Sequence, residues 1–161
     1  MPQPTGGSMA EQPIEVHGVQ AMEQLGESIA KSLHPGDVVA LQGQLGAGKT
    51  SLVRGIARAL GVPAGLVSSP TFVTLQHYPA ANGITVAHVD AYRFKSAAEL
   101  AATGWDELLE TPDTIVLVEW PERIAEAIPP AHLAIQIDAA DGGSSRLVTI
   151  RDGRSPTPRR G

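Results

Sequence analysis

Apolar residues recur along this chain with two distinct periods. Val19, Met22, Leu25, Ile29 and Leu33 stand three or four apart, which brings them to one side of a helix, so residues 19–33 are expected to form an amphipathic helix. The turn residues from His34 to Asp37 end it. Val38–Gln42 is a short apolar run between turn signals and reads as a buried strand. Lys49–Leu60 returns to helical spacing, closed by Gly61 and Pro63. Phe72–Tyr78 and Ile84–Val89 read as strands joined through Asn82 and Gly83, a hairpin signal. Further on, Ala97–Ala102 and Trp105–Glu110 read as short helices, Ile115–Val118 as a buried strand, and Glu122–Ile128 as a short helix stopped by Pro129 and Pro130. Leu133–Ile137 and Arg146–Ile150 read as strands able to pair, and Ile14–His17 as one more short strand. The pattern predicts an α/β fold whose central sheet is mixed and mainly parallel, with an antiparallel hairpin.

A length of 161 residues suits one domain. Residues 1–12, rich in Pro, Gly, Gln and Ser, read as a disordered tail, residues 13–150 as the domain, and residues 151–161 as a basic tail. With 42% apolar and 18% charged residues, the domain can bury a core. The absence of cysteine excludes disulfides, thiolate metal sites and a cysteine nucleophile. No apolar run approaches the roughly 20 residues of a membrane span, and the N-terminus has no signal-peptide pattern, so a cytoplasmic protein without a membrane role is expected. The net charge of −5 is uneven, because the arginines at 151, 154, 159 and 160 outnumber Asp152 in the tail and leave the body more acidic still. Such a body is a poor surface for nucleic acid by itself, so any RNA would be held by a partner.

Gly43-Gln-Leu-Gly-Ala-Gly48-Lys49-Thr50 has the form G-x-x-x-x-G-K-[ST], between a predicted strand and a predicted helix. Gly43, Gly46 and Gly48 let the main chain wrap closely around an anion. Successive amides form a nest, and the following helix aims its positive end at the same point. Lys49 supplies a point charge to the β- and γ-phosphates, and the Thr50 hydroxyl a magnesium ligand. The residues expected to hold the nucleotide here are Gly43, Leu45, Gly46, Ala47, Gly48, Lys49, Thr50 and Ser51.

Two apolar runs stop at an acid, Ile84–Val89 at Asp90 and Ile115–Val118 at Glu119. Strand ends of this kind are where α/β proteins bind ligands, and a phosphate loop needs a nearby carboxylate for its metal or its water. Either acid suits the metal. Between helix and hairpin, the segment Ser68-Ser-Pro-Thr71 is placed to carry a hydroxyl, that of Thr71, to the terminal phosphate.

Four blocks, the loop at 43–50, Ser69-Pro-Thr-Phe72, His88-Val-Asp-Ala-Tyr-Arg93 and Leu117-Val-Glu-Trp-Pro121, together with Leu25-Gly26, resemble the TsaE (YjeE) family across about residues 14–150. The resemblance implies a P-loop NTPase-type three-layer fold and slow, magnesium-dependent ATP hydrolysis. It implies work with TsaD and TsaB, which install threonylcarbamoyl on adenosine 37 of tRNAs that read ANN codons. It implies Thr50 and Glu119 as Mg²⁺ ligands, Asp90 as a residue of hydrolysis, Trp120 beside the nucleotide, and adenine contacts near Val19 and Gly143. Departures from the family pattern fall at Gln44, where Asp is frequent, and at Phe72 and Ala91. Arg93 reads equally as a donor to phosphate or partner and as a plain surface charge. A small-molecule kinase is the rival reading, and few arginines are available for the lid it would need.

Overall fold

Alternate residues of the central strands belong to two different cores, and this period of two explains the layering. The structure is a computed structural model that describes residues 12–44, 46–67 and 75–154. Its sheet has seven strands in the order β1-β7-β6-β2-β5-β4-β3. They are β1 (Ile14–Val16), β2 (Val38–Gly43), β3 (Leu75–Pro79), β4 (Thr85–Asp90), β5 (Thr114–Glu119), β6 (Leu133–Ala140) and β7 (Ser145–Asp152). Val39, Leu41, Ile115, Leu117, Ile135 and Ile137 face helices α1 (Gly18–Ala30) and α2 (Lys49–Leu60) and pack with Met22, Leu52, Val53 and Ile56. Val38, Val116, Val118, Ala87 and Val89 face the other way. They pack with Phe94 and with residues of α3 (Ala97–Ala101), α4 (Trp105–Glu110) and a 3-10 helical segment, Pro121–Ala127. Each such leucine or isoleucine, once fully buried, stabilises the fold by about 1.5–3 kcal/mol.

Helices α1 and α2 meet through glycine. A Cβ on Gly55 would lie 2.0 Å from Glu23 O, and one on Gly26 would lie 2.5 Å from Leu52 O. That contact seats the start of α2 against α1, and so positions the loop before it.

β2 runs parallel to β5 and β6, and β4 runs parallel to β5, whereas β1, β3 and β7 are antiparallel additions. The carboxyl ends of β2, β4 and β5 therefore share one edge, where Glu119 stands opposite both Leu41 and Asp90 in register. This is the expected mixed, mainly parallel α/β sheet with its hairpin at β3–β4.

The structure shifts several expected boundaries. The first helix ends at Ala30, where Ser32 donates from both N and Oγ to Ile29 O at 3.0 Å and tightens the last turn, although Leu33 remains buried. The segment after Trp120 is 3-10 rather than α-helical and kinks at Ile124. β6 and β7 extend further than the apolar pattern shows, because antiparallel pairing continues through polar positions as far as Ala140 with Ser145 and Leu133 with Asp152. The basic segment expected from residue 151 thus starts inside β7, and Arg154 is bonded to Asp37, Ser32 and Asp152. Among the described residues, no helix is long and apolar enough to cross a membrane.

Candidate functional site

β2 delivers the chain to the loop at Gly43, and α2 begins at Lys49 after Gly48, whose φ of 108° only glycine adopts readily. Gly46 has φ 80°, and a Cβ there would meet nothing within 4 Å, so the loop borders open space. Ala47 N donates to Gln44 O at 2.9 Å and closes the turn.

Lys49 is buried, only 5% exposed. Its ammonium donates to Gly43 O and, at 3.4 Å, to Gln44 O, and it lies 3.7 Å from the centre of the Trp120 ring. Burial lowers its pKa, while Glu119, Glu122 and Asp90 act in the opposite direction. Its direct partners are neutral, and among the described residues it forms no ion pair. A buried cation held by carbonyls beside an open loop is able to receive an anion.

The two acids at the strand ends differ. Glu119 is buried and accepts from His88 Nε2 at 2.7 Å. With Glu119 as a carboxylate, which only accepts, His88 Nε2 is the donor of this pair. His88 is itself buried, and its Nδ1 has no hydrogen-bond partner among the described residues. Asp90 is half-buried and caps the next turn by accepting from Tyr92 N at 3.0 Å through Oδ1. One acid is thus held by a buried donor, and the other sits at the mouth of the site.

Trp120 follows Glu119 with φ 61° and ψ 50°, a left-handed conformation that is unfavourable for a bulky side chain. Its N donates to Leu41 O at 3.3 Å, and its ring lies 5.0 Å from that of Tyr92. Arg123 lies over the Tyr92 ring, 4.6 Å from its centre. Lys49, Trp120, Tyr92 and Arg123 therefore form a ladder of two rings between two cations.

Beside the loop lies a cavity of about 280 Å³, walled by Val16, Gly18, Val19 and Met22, by Gly46 to Gly48 and Ser51, and by Gly143 to Arg146. A larger hollow of about 480 Å³ lies beside the Pro121–Ala127 segment, lined by Gln42, Gln136 and Arg151 among others, and it includes no loop glycine.

The structure brings Gly43, Gly46, Ala47, Gly48, Lys49, Thr50 and Ser51 to one strand-to-helix junction, beside the edge carrying Asp90 and Glu119. Val19 and Gly143 line the cavity, whereas Trp120 lies on the lysine side of the loop. Arg93 is exposed, and Leu45 and Thr71 lie outside the described residues. Sequence reasoning assigned no role to His88, Tyr92 or Arg146. A histidine inside an otherwise apolar strand was the one available signal, because a buried polar side chain calls for a partner. Arg146 carried no signal.

A central parallel strand opening through a glycine loop into a helix, with carboxylates at the neighbouring strand ends, defines a P-loop-type α/β protein. The chain belongs to the TsaE family: residues 16–148 match the model of threonylcarbamoyl adenosine biosynthesis protein TsaE. It is 40% identical over 159 residues to the tRNA threonylcarbamoyladenosine biosynthesis protein TsaE of Mycobacterium tuberculosis, covering 94% of this chain and 90% of that protein. The protein of the same name from Streptomyces coelicolor is 40% identical over 139 residues, covering 80% and 88%. The crystal structure of Bacillus subtilis YdiB superposes with a TM-score of 0.69 at 28% identity, covering 88% of this chain and 84% of that one. The resemblance carried by the four sequence blocks therefore holds.

Proposed function

We propose that this chain binds and hydrolyses ATP with magnesium, as a subunit of the machinery that makes N6-threonylcarbamoyladenosine at position 37 of ANN-decoding tRNAs. The observation that carries the reading is Lys49, a buried ammonium held by neutral carbonyls at the mouth of a glycine loop, with carboxylates nearby. Family membership supports the pathway.

The donor set fits both groups. Loop amides and Lys49 suit a triphosphate, and the hydroxyl of Thr50 with the carboxylate of Glu119 suits a hard, oxygen-seeking cation. Magnesium, when bound, neutralises charge on the phosphate oxygens. Lys49 exchanges its carbonyl partners for phosphate. Asp90, less buried than Glu119, orients the attacking water, whose oxygen bonds to the terminal phosphorus as the bridging oxygen leaves with ADP and one water proton passes to the released phosphate. His88 holds Glu119 in place. The cavity beside Val19 and Gly143 receives the adenine.

In this reading, occupancy of the site is a switch on a complex of TsaD and TsaB homologues, which hold the tRNA in the cytoplasm, and the acidic body keeps this subunit from binding RNA by itself. The test is calorimetric titration with ATP in magnesium buffer, with Lys49→Ala as control, then partner binding with ATP, with ADP and without nucleotide. Wild type should bind ATP and the variant should not, with partner affinity following the nucleotide. Absence of ATP uptake by wild type, alone and with partners, refutes the nucleotide reading, and equal partner affinity in the three states refutes the switch.

A further inference from the structure

We infer that Arg146 is a positioning residue of the nucleotide site: it fixes the shape of the glycine loop and locks it to the β6–β7 turn. The inference rests on the nucleotide reading above and adds a residue to it. Arg146 stands in β7, about a hundred residues from the loop. Its Nε donates to Ala47 O at 3.0 Å and its Nη2 to Gly46 O at 3.2 Å. Its Nη1 donates to Gly143 O at 2.9 Å and to Ser145 O at 3.0 Å. All four acceptors are main-chain carbonyls, and among the described residues no carboxylate pairs with it.

Peptide planarity gives these bonds their consequence. In a trans peptide the C=O and the following N–H point in opposite directions. Holding Ala47 O toward Arg146 therefore turns Gly48 N–H away from it, the orientation that lets this amide join an anion nest. Holding Gly46 O fixes Ala47 N–H, the donor that closes the turn onto Gln44 O at 2.9 Å. Lys49 takes the carbonyls at the near end of the loop, Gly43 and Gln44, and Arg146 takes those at the far end. Ligand binding asks different things of the two cations. The lysine has to release its carbonyls to reach a phosphate, whereas the planar guanidinium, with its fixed fork of donors, keeps the loop shaped while that exchange occurs.

The turn at the other end of Arg146 is itself well anchored. Ser145 is buried, and its one hydroxyl proton is shared between Asp141 Oδ2 at 3.2 Å and Glu15 Oε2 of β1 at 3.3 Å. Gly142 and Gly143 both have positive φ. Two walls of the 280 Å³ cavity, Gly46–Gly48 and Gly143–Ser145, are thus joined by one side chain.

The experiment compares wild type, Arg146→Ala and Arg146→Lys in titrations with inorganic tripolyphosphate and with Mg-ATP, alongside thermal melts without ligand. Both variants should bind both ligands about tenfold or more weakly, because one ammonium cannot bridge carbonyls in two segments as a guanidinium does. Methylguanidinium should restore part of the binding to Arg146→Ala and none to Lys49→Ala, a rescue that general loss of packing would not produce. Wild type that binds Mg-ATP while Arg146→Lys binds tripolyphosphate equally well overturns the inference and leaves the nucleotide reading standing. Wild type that binds neither ligand overturns both.

Discussion

The two edges of the sheet hold charge in opposite ways. At the edge where β2, β4 and β5 end, the Lys49 ammonium is buried and its pKa is lowered, foremost by that burial. There, too, Glu119 is buried against His88, His88 Nδ1 lacks a partner among the described residues, and Trp120 is held left-handed. At the opposite edge Arg154 donates to Asp37 Oδ2 at 2.7 Å, to Ser32 O at 2.9 Å and to both carboxylate oxygens of Asp152. The pKa of Arg154 is raised and that of Asp152 lowered, each mainly by their mutual hydrogen bonds. The second edge satisfies its charges and so adds stability. The first keeps its cation and its acids apart, an arrangement that folding alone does not favour and that a bound anion with its metal would complete.

If that contrast is functional, acids at the first edge should matter more to activity than to folding. The largest effect is expected from Asp90→Asn. ATP turnover should fall by about 100-fold or more, while ATP binding changes by no more than about threefold, because the side chain sits at the mouth of the site and in the proposed mechanism orients water. Steady-state phosphate release and calorimetry on one preparation measure both quantities. Undiminished turnover would take Asp90 out of the chemistry. A smaller effect is expected from Glu119→Gln, which keeps an acceptor for His88 Nε2 and removes only charge. Magnesium should then tighten ATP binding about 10–100-fold less than in wild type, with binding in chelator unchanged. If the magnesium dependence persists in full, Glu119 is not the ligand.

The same contrast explains what was readable beforehand. The loop and Lys49–Leu60 were legible because a glycine spacing, a lysine and a helical period occur within one short stretch. Asp90 and Glu119 were legible as acids because each ends an apolar run, and a charge closing a buried strand marks its exit from the core. Their different surroundings were not legible, since these depend on register: only parallel pairing of β4 with β5 sets His88 within reach of Glu119. Arg146 was invisible because its partners lie about a hundred positions away and are main-chain atoms, which leave no trace in residue types. The left-handed turn at Trp120 was unsignalled, because local preference argues against it and tertiary contact imposes it. Val19 and Gly143 were expected only through family resemblance, yet the fold sets both around one cavity. At the other edge, a basic ending looked like a free tail, and nothing local showed that Arg154 would fold back onto Asp37.

The smallest predicted effect tests that second edge. Arg154→Ala should destabilise the protein by about 1 kcal/mol, lowering the thermal midpoint by about 2–4 °C, since the Asp37 pair is largely shielded and the Asp152 pair is half exposed. The pH dependence has a definite sign. The Asp152 carboxyl has a lower pKa folded than unfolded, where it is near 3.9, so its contribution is full above about pH 4 and fades as pH falls through the lowered value. The gap between wild type and variant should therefore be widest near neutrality and narrow below about pH 4 in melts followed by circular dichroism. ATP binding and turnover should stay at wild-type levels, because β7 separates this cluster from the loop by the length of the sheet. A variant with an unchanged midpoint but weakened nucleotide affinity would mean that both edges serve the ligand, and the contrast between them would fail.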